Sequence, residues 1–251
     1  MKFRLKAFGF HLLGSACVLA LVLSGLYFGW YRWPGWYLTG VLTVAGMLAG
    51  VDVALGPLLT LVIANPSKSR RELTRDIGMI VVVQIVALVY GTTTLWHGRP
   101  LYYAFSENML QMVQASDLDP VEIDLARKQN PDLAPHWYSR PRWVWAPLPQ
   151  DEKTRKKIIT AAISGGNDVI QMPRYFKGWE EGATPLREQL KSLDQLKVYS
   201  KLEKQTLMQR MAQMGLATDK AATLPLMGRS RPLLAVFDPD TLQLRAMIRA
   251  D

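Results

Sequence analysis

The chain has 251 residues, a formal charge of +9 and 49% hydrophobic residues, a length that holds one or two domains. Its single cysteine, Cys17, excludes an intrachain disulfide and any cysteine-based metal centre. The basic excess does not cluster on a soluble stretch as a nucleic-acid footprint would: residues 1–96 hold eight Lys or Arg against three acids, and residues 97–251 hold twenty-two against eighteen.

Apolar residues are strongly segregated. Between Phe8 and Ala64 the only acidic, basic or histidine residues are His11, Arg32 and Asp52, whereas beyond His97 charges of both signs recur every few positions. This division predicts a membrane part, residues 1–96, and a water-soluble domain, residues 97–251. Three apolar runs fill the first part, from Ala7 to Tyr31, from Trp36 to Ala64 and from Ile77 to Trp96. Each supplies the roughly 20 residues that a bilayer core requires. Only helices satisfy their backbone there, so the runs read as transmembrane helices over 7–31, 37–64 and 77–96. A cleaved signal peptide fits the first run poorly, because the run is about twice the usual apolar length and no small-x-small cleavage site ends it. Gly14-Ser15-Ala16-Cys17 only loosely resembles a lipoprotein box, and apolar sequence continues past it, which makes Cys17 a small apolar helix residue.

Orientation follows from two sets of residues. Lys2, Arg4 and Lys6 precede the first helix, and Lys68, Arg70, Arg71 and Arg75 lie between the second and third. Both segments are therefore expected in the cytoplasm. The link between the first two helices carries Trp30, Tyr31, Trp33, Trp36 and Tyr37, and Trp96 closes the third helix, an aromatic belt for the opposite interface. The expectation is N-terminus in, C-terminal domain out. The short link Arg32-Trp33-Pro34-Gly35 makes the first two helices an antiparallel hairpin. Gly25 with Gly29, and Gly46 with Gly50, are small-xxx-small pairs suited to helix packing, within this bundle or against a partner.

Asp52 lies near the middle of the second helix, where a charge is costly enough to mark it as a candidate functional residue. The plainer reading is an internal hydrogen bond to Gln84 or to a hydroxyl such as Ser15. One turn on, Gly56 leaves room for close approach and Pro57 removes the hydrogen bond to Val53.

The second part reads as α+β. Leu101 to Phe105 reads as a strand, Ser106 to Asn108 as a turn and Met109 to Val113 as a second strand or a short helix, and Pro120 to Gln129 is a short helix capped by Asp119. Arg142 to Trp145 alternates like a strand, and Asp151 to Ser164 is a helix. Pro185 to Gly215 is predicted mostly helical with a break near Tyr199. Leu233 to Phe237 and Leu242 to Ile248 form a hairpin about Asp238-Pro239-Asp240. No catalytic constellation emerges. His97 and His136 have no partner at metal-ligand spacing, and Ser164-Gly165-Gly166-Asn167 is not a phosphate loop. Asp117, Asp119, Glu122 and Asp124 lack an EF-hand pattern and read as a solvated face, as do Lys153, Arg155, Lys156 and Lys157. No cofactor and no metal are expected.

Several segments together resemble the type IV pilin accessory family, TfpX/TfpZ. They are Met1 to Phe8 with His11-Leu12, Asp52-Val53-Ala54-Leu55-Gly56-Pro57-Leu58-Leu59-Thr60, Asn65-Pro66-Ser67-Lys68, Arg71-Glu72-Leu73, Gln84 with Ala87 to Gly91, and Arg99-Pro100-Leu101-Tyr102 with Phe105. The resemblance covers residues 1 to about 115 well and the remainder in layout. It implies a bacterial inner-membrane, chaperone-like helper of pilus assembly or dynamics. Its soluble domain would be periplasmic, its partners a type IV pilin subunit and the lipid bilayer, and its activity binding rather than catalysis. The partner-binding candidates it implies are Asp52, Gly56, Pro57, Gln84, Arg99, Pro100 and Tyr102. The alternative is a membrane-anchored periplasmic enzyme.

Overall fold

A computed structural model describes residues 1–216 and 222–251. These fall into two compact units, Met1–Trp36 with Gly40–Gly98, and Tyr37–Thr39 with Arg99–Asp251.

Three stretches of the first unit, Lys2–Tyr31, Val41–Ile63 and Arg70–His97, are long and apolar enough to cross a membrane. The first is helix α1, Lys2–Leu26, prolonged by a π-helical turn, Tyr27–Tyr31. The second differs from the continuous run expected. A short helix α2, Gly35–Thr39, ends at Gly40, whose φ of 69° is left-handed and suits glycine. Beyond it come α3, Val41–Ala49, a π-helical stretch, Gly50–Leu55, and α4, Gly56–Ile63. The third helix, α5, Arg70–His97, begins one to two turns earlier than the apolar run. The cause is a capping box: Glu72 N–H donates to Ser69 Oγ at 3.3 Å, and Ser69 N–H donates to the Glu72 carboxylate at 2.9 Å. Arg70, Arg71 and Arg75 therefore sit on the first turns of α5 rather than in a loop, and the connection shortens to residues 64–69.

Within this unit α1 and α5 both start at the end where α4 stops. Lys2, Arg4 and Lys6 share that end with Lys68, Arg70, Arg71 and Arg75, and Lys68 pairs with Asp76 at 2.8 Å. The other end is aromatic. Trp30 and Trp96 meet edge to face with ring centroids 4.8 Å apart, and the Tyr31 hydroxyl donates to Leu95 O at 2.6 Å. Outward side chains such as Phe10, Leu21, Val62 and Val86 are exposed, which suits a lipid solvent rather than water.

The second unit is an α+β domain built on a mixed sheet. Its strands are β1, Pro100–Ser106, β2, Met109–Gln114, β3, Arg142–Trp145, β4, Lys177–Gly178, β5, Ala222–Met227, β6, Leu233–Phe237, and β7, Leu244–Arg249. Among the described residues their order is β4-β3-β1-β2-β5-β6-β7. β1 pairs antiparallel with β2 and parallel with β3, so it is buried along its whole length, as a central strand should be. β2 joins β5 in parallel through Leu110↔Leu226 and Gln111↔Met227. The expected terminal hairpin is there as β6 and β7, with a longer connection than a two-residue turn: Asp238 Oδ1 accepts from Asp240 and Thr241 N–H, and Leu242 takes a φ of 57°.

Helices pack on this sheet through two apolar clusters. One joins Tyr102, Ala104 and Val144 to Ile158 of α7, Glu152–Ile163, and to Phe176. The other joins Leu234, Val236 and Ile248 to Leu207 and Met211 of α9, Lys201–Gln213. The mostly helical stretch expected over Pro185–Gly215, with a break near Tyr199, is interrupted earlier and for longer, from Leu190 to Ser200. α8 covers Ala183–Gln189, and the chain then turns at Leu190 to pair Lys191 with Thr223 before α9 begins. The side chains of that interval, Leu193, Leu196 and Tyr199, are core residues, so burial and sheet pairing outweigh helix propensity there.

The link residues Tyr37–Thr39 belong to this unit. Leu38 is fully buried, and its carbonyl accepts from Arg229 N–H at 2.9 Å and Ser230 N–H at 3.1 Å. A Cβ at Gly228 would lie 2.6 Å from that carbonyl oxygen, which accounts for the glycine.

Candidate functional site

Polar side chains are scarce in the first unit, and four of them meet. His11 of α1 contacts Thr60 Oγ1 through Nδ1 at 2.6 Å and Gln84 Oε1 through Nε2 at 2.7 Å. With the proton on Nε2, the ring donates to Gln84 and accepts the Thr60 hydroxyl. Gln84 Nε2 donates to the Asp52 carbonyl at 2.9 Å and approaches Ser15 Oγ at 3.4 Å.

The backbone around Asp52 explains why Gln84 is needed. Gly56 N–H bonds Val51 O, five residues back, as in a π-helix. In that register the next donor, for the Asp52 carbonyl, would be the amide of Pro57, which has no N–H. Gln84 supplies the missing donor. Gly56 makes this approach possible, because a Cβ there would lie 2.1 Å from Gln84 Nε2. Pro57, Gly56 and Gln84 are thus one device, and the carbonyl that proline leaves open is that of Asp52 rather than Val53.

The Asp52 carboxylate has a different fate from the internal hydrogen bond expected. It is 4% exposed, and neither oxygen has a hydrogen-bond partner among the described residues. Gln84 is spent on the main chain, so it does not reach the acid. A charge at the bilayer centre costs about 2.5–3.5 kcal/mol on insertion scales, and among the described residues no hydrogen bond or ion pair to the carboxylate offsets it. Asp52 and Thr60 are among the residues that line a groove of about 730 Å³ between α1 and α5, with the Asp52 carboxylate beneath its surface.

The other sequence candidates lie elsewhere. Arg99, Pro100 and Tyr102 belong to the second unit. Arg99 is buried and its carbonyl accepts from Ala115 N–H at 3.0 Å, and Pro100 opens β1 opposite Gln114. Tyr102 is fully buried, donates to Leu133 O at 2.6 Å and meets Phe176 edge to face at 5.0 Å, so it packs the core and presents no surface to a partner. Gly25, Gly29, Gly46 and Gly50 face open space within the chain. The close helix approaches fall at Gly56 and at Gly91, where a Cβ would lie 2.3 Å from Leu48. Lys2, Arg4, Lys6, Lys68, Arg70, Arg71 and Arg75 line the basic end described above.

The acidic residues of the second unit are engaged one by one. Asp117 pairs with Arg229, Asp119 caps α6, Pro120–Gln129, Glu122 pairs with Arg174 at 3.3 Å, and Asp124 pairs with Arg127 at 3.2 Å. Burial pushes the Glu122 carboxyl above its ordinary range while Arg174 pulls it down. Among the described residues no group of three or more His, Cys, Asp or Glu is placed to hold a metal ion. Lys153, Arg155 and Lys157 form an exposed face of α7, with Lys156 paired to Glu152 at 2.6 Å.

Reading the sequence left His11 and Thr60 out of the site. A histidine in an otherwise apolar helix was the available signal; its partners are forty-nine and seventy-three residues away, and local spacing does not reveal them.

Comparison with known proteins gives relatives of one kind. The fimbrial assembly protein of serogroup I from Dichelobacter nodosus is 27% identical over 242 residues, 94% of this chain and 91% of that protein. That of serogroup E1 from the same organism is 28% identical over 244 residues, 94% and 91% of the two chains. That of serogroups C1 and C2 is 31% identical over 116 residues, 46% of this chain and 88% of the relative. No family model and no solved structure matches the chain.

Proposed function

We propose that this chain, which belongs to the fimbrial assembly protein family, is an inner-membrane accessory protein of the TfpX/TfpZ kind that binds a type IV pilin subunit and assists its assembly into the fibre. The observation that carries this is the family match, extended over 94% of the chain by two relatives that share the name. The architecture supports it. A fibre subunit held in the membrane before assembly presents an apolar helix and a soluble domain, and this chain offers an apolar helical unit and an α+β domain to receive them.

On this reading the basic end, Lys2 to Lys6 and Lys68 to Arg75, faces the cytoplasm, the aromatic end faces the periplasm, and the second unit is periplasmic. The activity is binding, with no chemical step and no cofactor. A reporter enzyme active only in the periplasm should be active when fused after Asp251 and silent when fused at Ser69, and the full-length chain should co-purify with the fimbrial subunit of its host. Activity at Ser69 would reverse the topology. Turnover of an envelope substrate without subunit binding would replace the accessory role with an enzymatic one.

A further inference from the structure

We infer that the groove between α1 and α5 is the docking site for the subunit's transmembrane helix, and that Asp52 pairs there with a basic group on that helix. The inference rests on the proposed handling of a fimbrial subunit and adds where the subunit is gripped and by what chemistry.

The groove has the form of a seat for a helix. Ala7, Gly14 and Val18 line it from α1, and Ile77, Ile85 and Leu88 from α5. Each set recurs at intervals of three, four, seven or eight, so each is one face of its helix over eleven residues, roughly 16 Å or three turns. Between Phe10 and Val18 the α1 wall is low at Gly14 and Ser15, and β-branched or leucine side chains make the α5 wall, a surface for ridges of a third helix. The volume, about 730 Å³, far exceeds the ~30 Å³ share of one water, and the walls are too apolar to hold a water cluster.

The charge decides the occupant. The other polar side chains of the site answer one another: His11 is used at both ring nitrogens, and Gln84 bridges His11 and the Asp52 carbonyl. Only the Asp52 carboxylate is left open while it is almost fully buried. A lipid chain brings no donor to it. A lipid headgroup lies too far away, because Asp52 is eleven residues from each end of Val41–Ile63, roughly 16 Å along the helix. A second copy of the chain fails for a different reason. Its spans carry no Lys or Arg at this depth, since Arg32 lies in the link and Ile77 to Trp96 contains none. A basic side chain or amine on another protein's helix satisfies the acid and becomes less costly to bury itself. That makes the pair selective: an apolar helix without the cation leaves the penalty in place.

The test uses the full-length chain in cells that make the fimbrial subunit. A photo-crosslinking residue is placed at Ile85 in the groove, at Val83 on the opposite face of α5, or at Ile163 on the second unit. All three positions are exposed. The subunit should be trapped at Ile85 and not at Val83. At equal chain level the Ile85 adduct should fall about tenfold with Asp52→Asn, which removes charge with little change of shape, and should recover with Asp52→Glu. An adduct undiminished by Asp52→Asn, equal trapping at Val83, or trapping at Ile85 of lipid or a second copy alone would overturn the inference. Trapping at Ile163 without trapping at Ile85 would also overturn it and would leave the proposed function standing. No subunit at any position, in cells that fimbriate normally without this chain, would remove both.

Discussion

Glu122 and Asp52 are both buried carboxylates, 8% and 4% exposed, yet the two units of the chain treat them differently. In the second unit Arg174 stands 3.3 Å from Glu122 and its ring neighbour Tyr175 lies under the guanidinium, with 4.8 Å from Arg174 Cζ to the ring centroid. The acid, its cation and the cation's platform all come from one domain. In the first unit the acid is as deeply buried and, among the described residues, has neither a hydrogen-bond nor an ion-pair partner for its carboxylate; the contrast lies in the ion pair, because Glu122 Oε2 and Arg174 Nε also lack hydrogen-bond geometry. A domain that stands by itself closes its charges internally, because leaving one open costs several kcal/mol. The inferred pairing of Asp52 with a partner's cation would do between two chains what Arg174 does for Glu122 within one.

The comparison can be broken from the Glu122 side. Replacing Arg174 by Met leaves a buried carboxylate alone, and because the pair is partly exposed the loss should be about 2–3 kcal/mol, below the full cost of breaking a buried pair. It should be read as a lower melting temperature of the second unit with the helices unaffected. If the variant melts like the wild type, Glu122 does not depend on its cation and the contrast with Asp52 loses its force.

A smaller effect is expected in the membrane unit. Gly56→Ala drives a methyl into Gln84, which must leave either His11 or the Asp52 carbonyl, at a cost of about 1–2 kcal/mol. Thermal unfolding of the full chain in detergent should show the membrane unit weakened and the second unit unchanged. An unaltered profile would show that Gln84 is not the donor that replaces the missing amide of Pro57.

The smallest effect is a pH dependence. Burial raises the folded-state pKa of Glu122 above its ordinary 4.5, so the folded domain holds that proton more tightly than the unfolded chain does. The resulting stabilisation is fully present below the ordinary value and is lost as pH rises through the raised one. Melting temperatures of wild type and Glu122→Gln, compared from about pH 4 to about pH 7, should therefore diverge in the variant's favour as pH rises. A constant difference would mean that Glu122 is not desolvated in the folded state.

How much of this was legible in advance depends on the range of the interactions. The three apolar helices, the terminal hairpin, the cap at Asp119 and the helix over Asp151–Ser164 rest on local pattern, and they stand in the structure much as expected, with Asp151 as the cap of that helix rather than its first residue. The start of α5 was also written locally, in Ser69-x-x-Glu72, but the basic residues beside it read more readily as a loop. Strand β5 escaped notice because Pro225 interrupts its pattern and its identity comes from pairing with β2 and β6, far away in sequence. The break after α8 has the same cause. At the site, Asp52, Gly56, Pro57 and Gln84 stood out as residue types, whereas the π-helical register that joins them is a geometric fact. That register decides which carbonyl Pro57 leaves open, hence where Gln84 goes, hence that the Asp52 carboxylate is left without an internal partner.

The most direct test of the account is fimbriation of cells whose own copy of this chain is replaced by Asp52→Leu. The variant removes a buried charge from a transmembrane helix, so it should insert and accumulate at least as well as the wild type. The account predicts that such cells, with normal amounts of chain and subunit in the membrane, display several-fold fewer surface fimbriae, on the order of the tenfold loss expected for one intramembrane charge pair. Normal fimbriation at normal chain level would contradict it and reduce Asp52 to a structural residue.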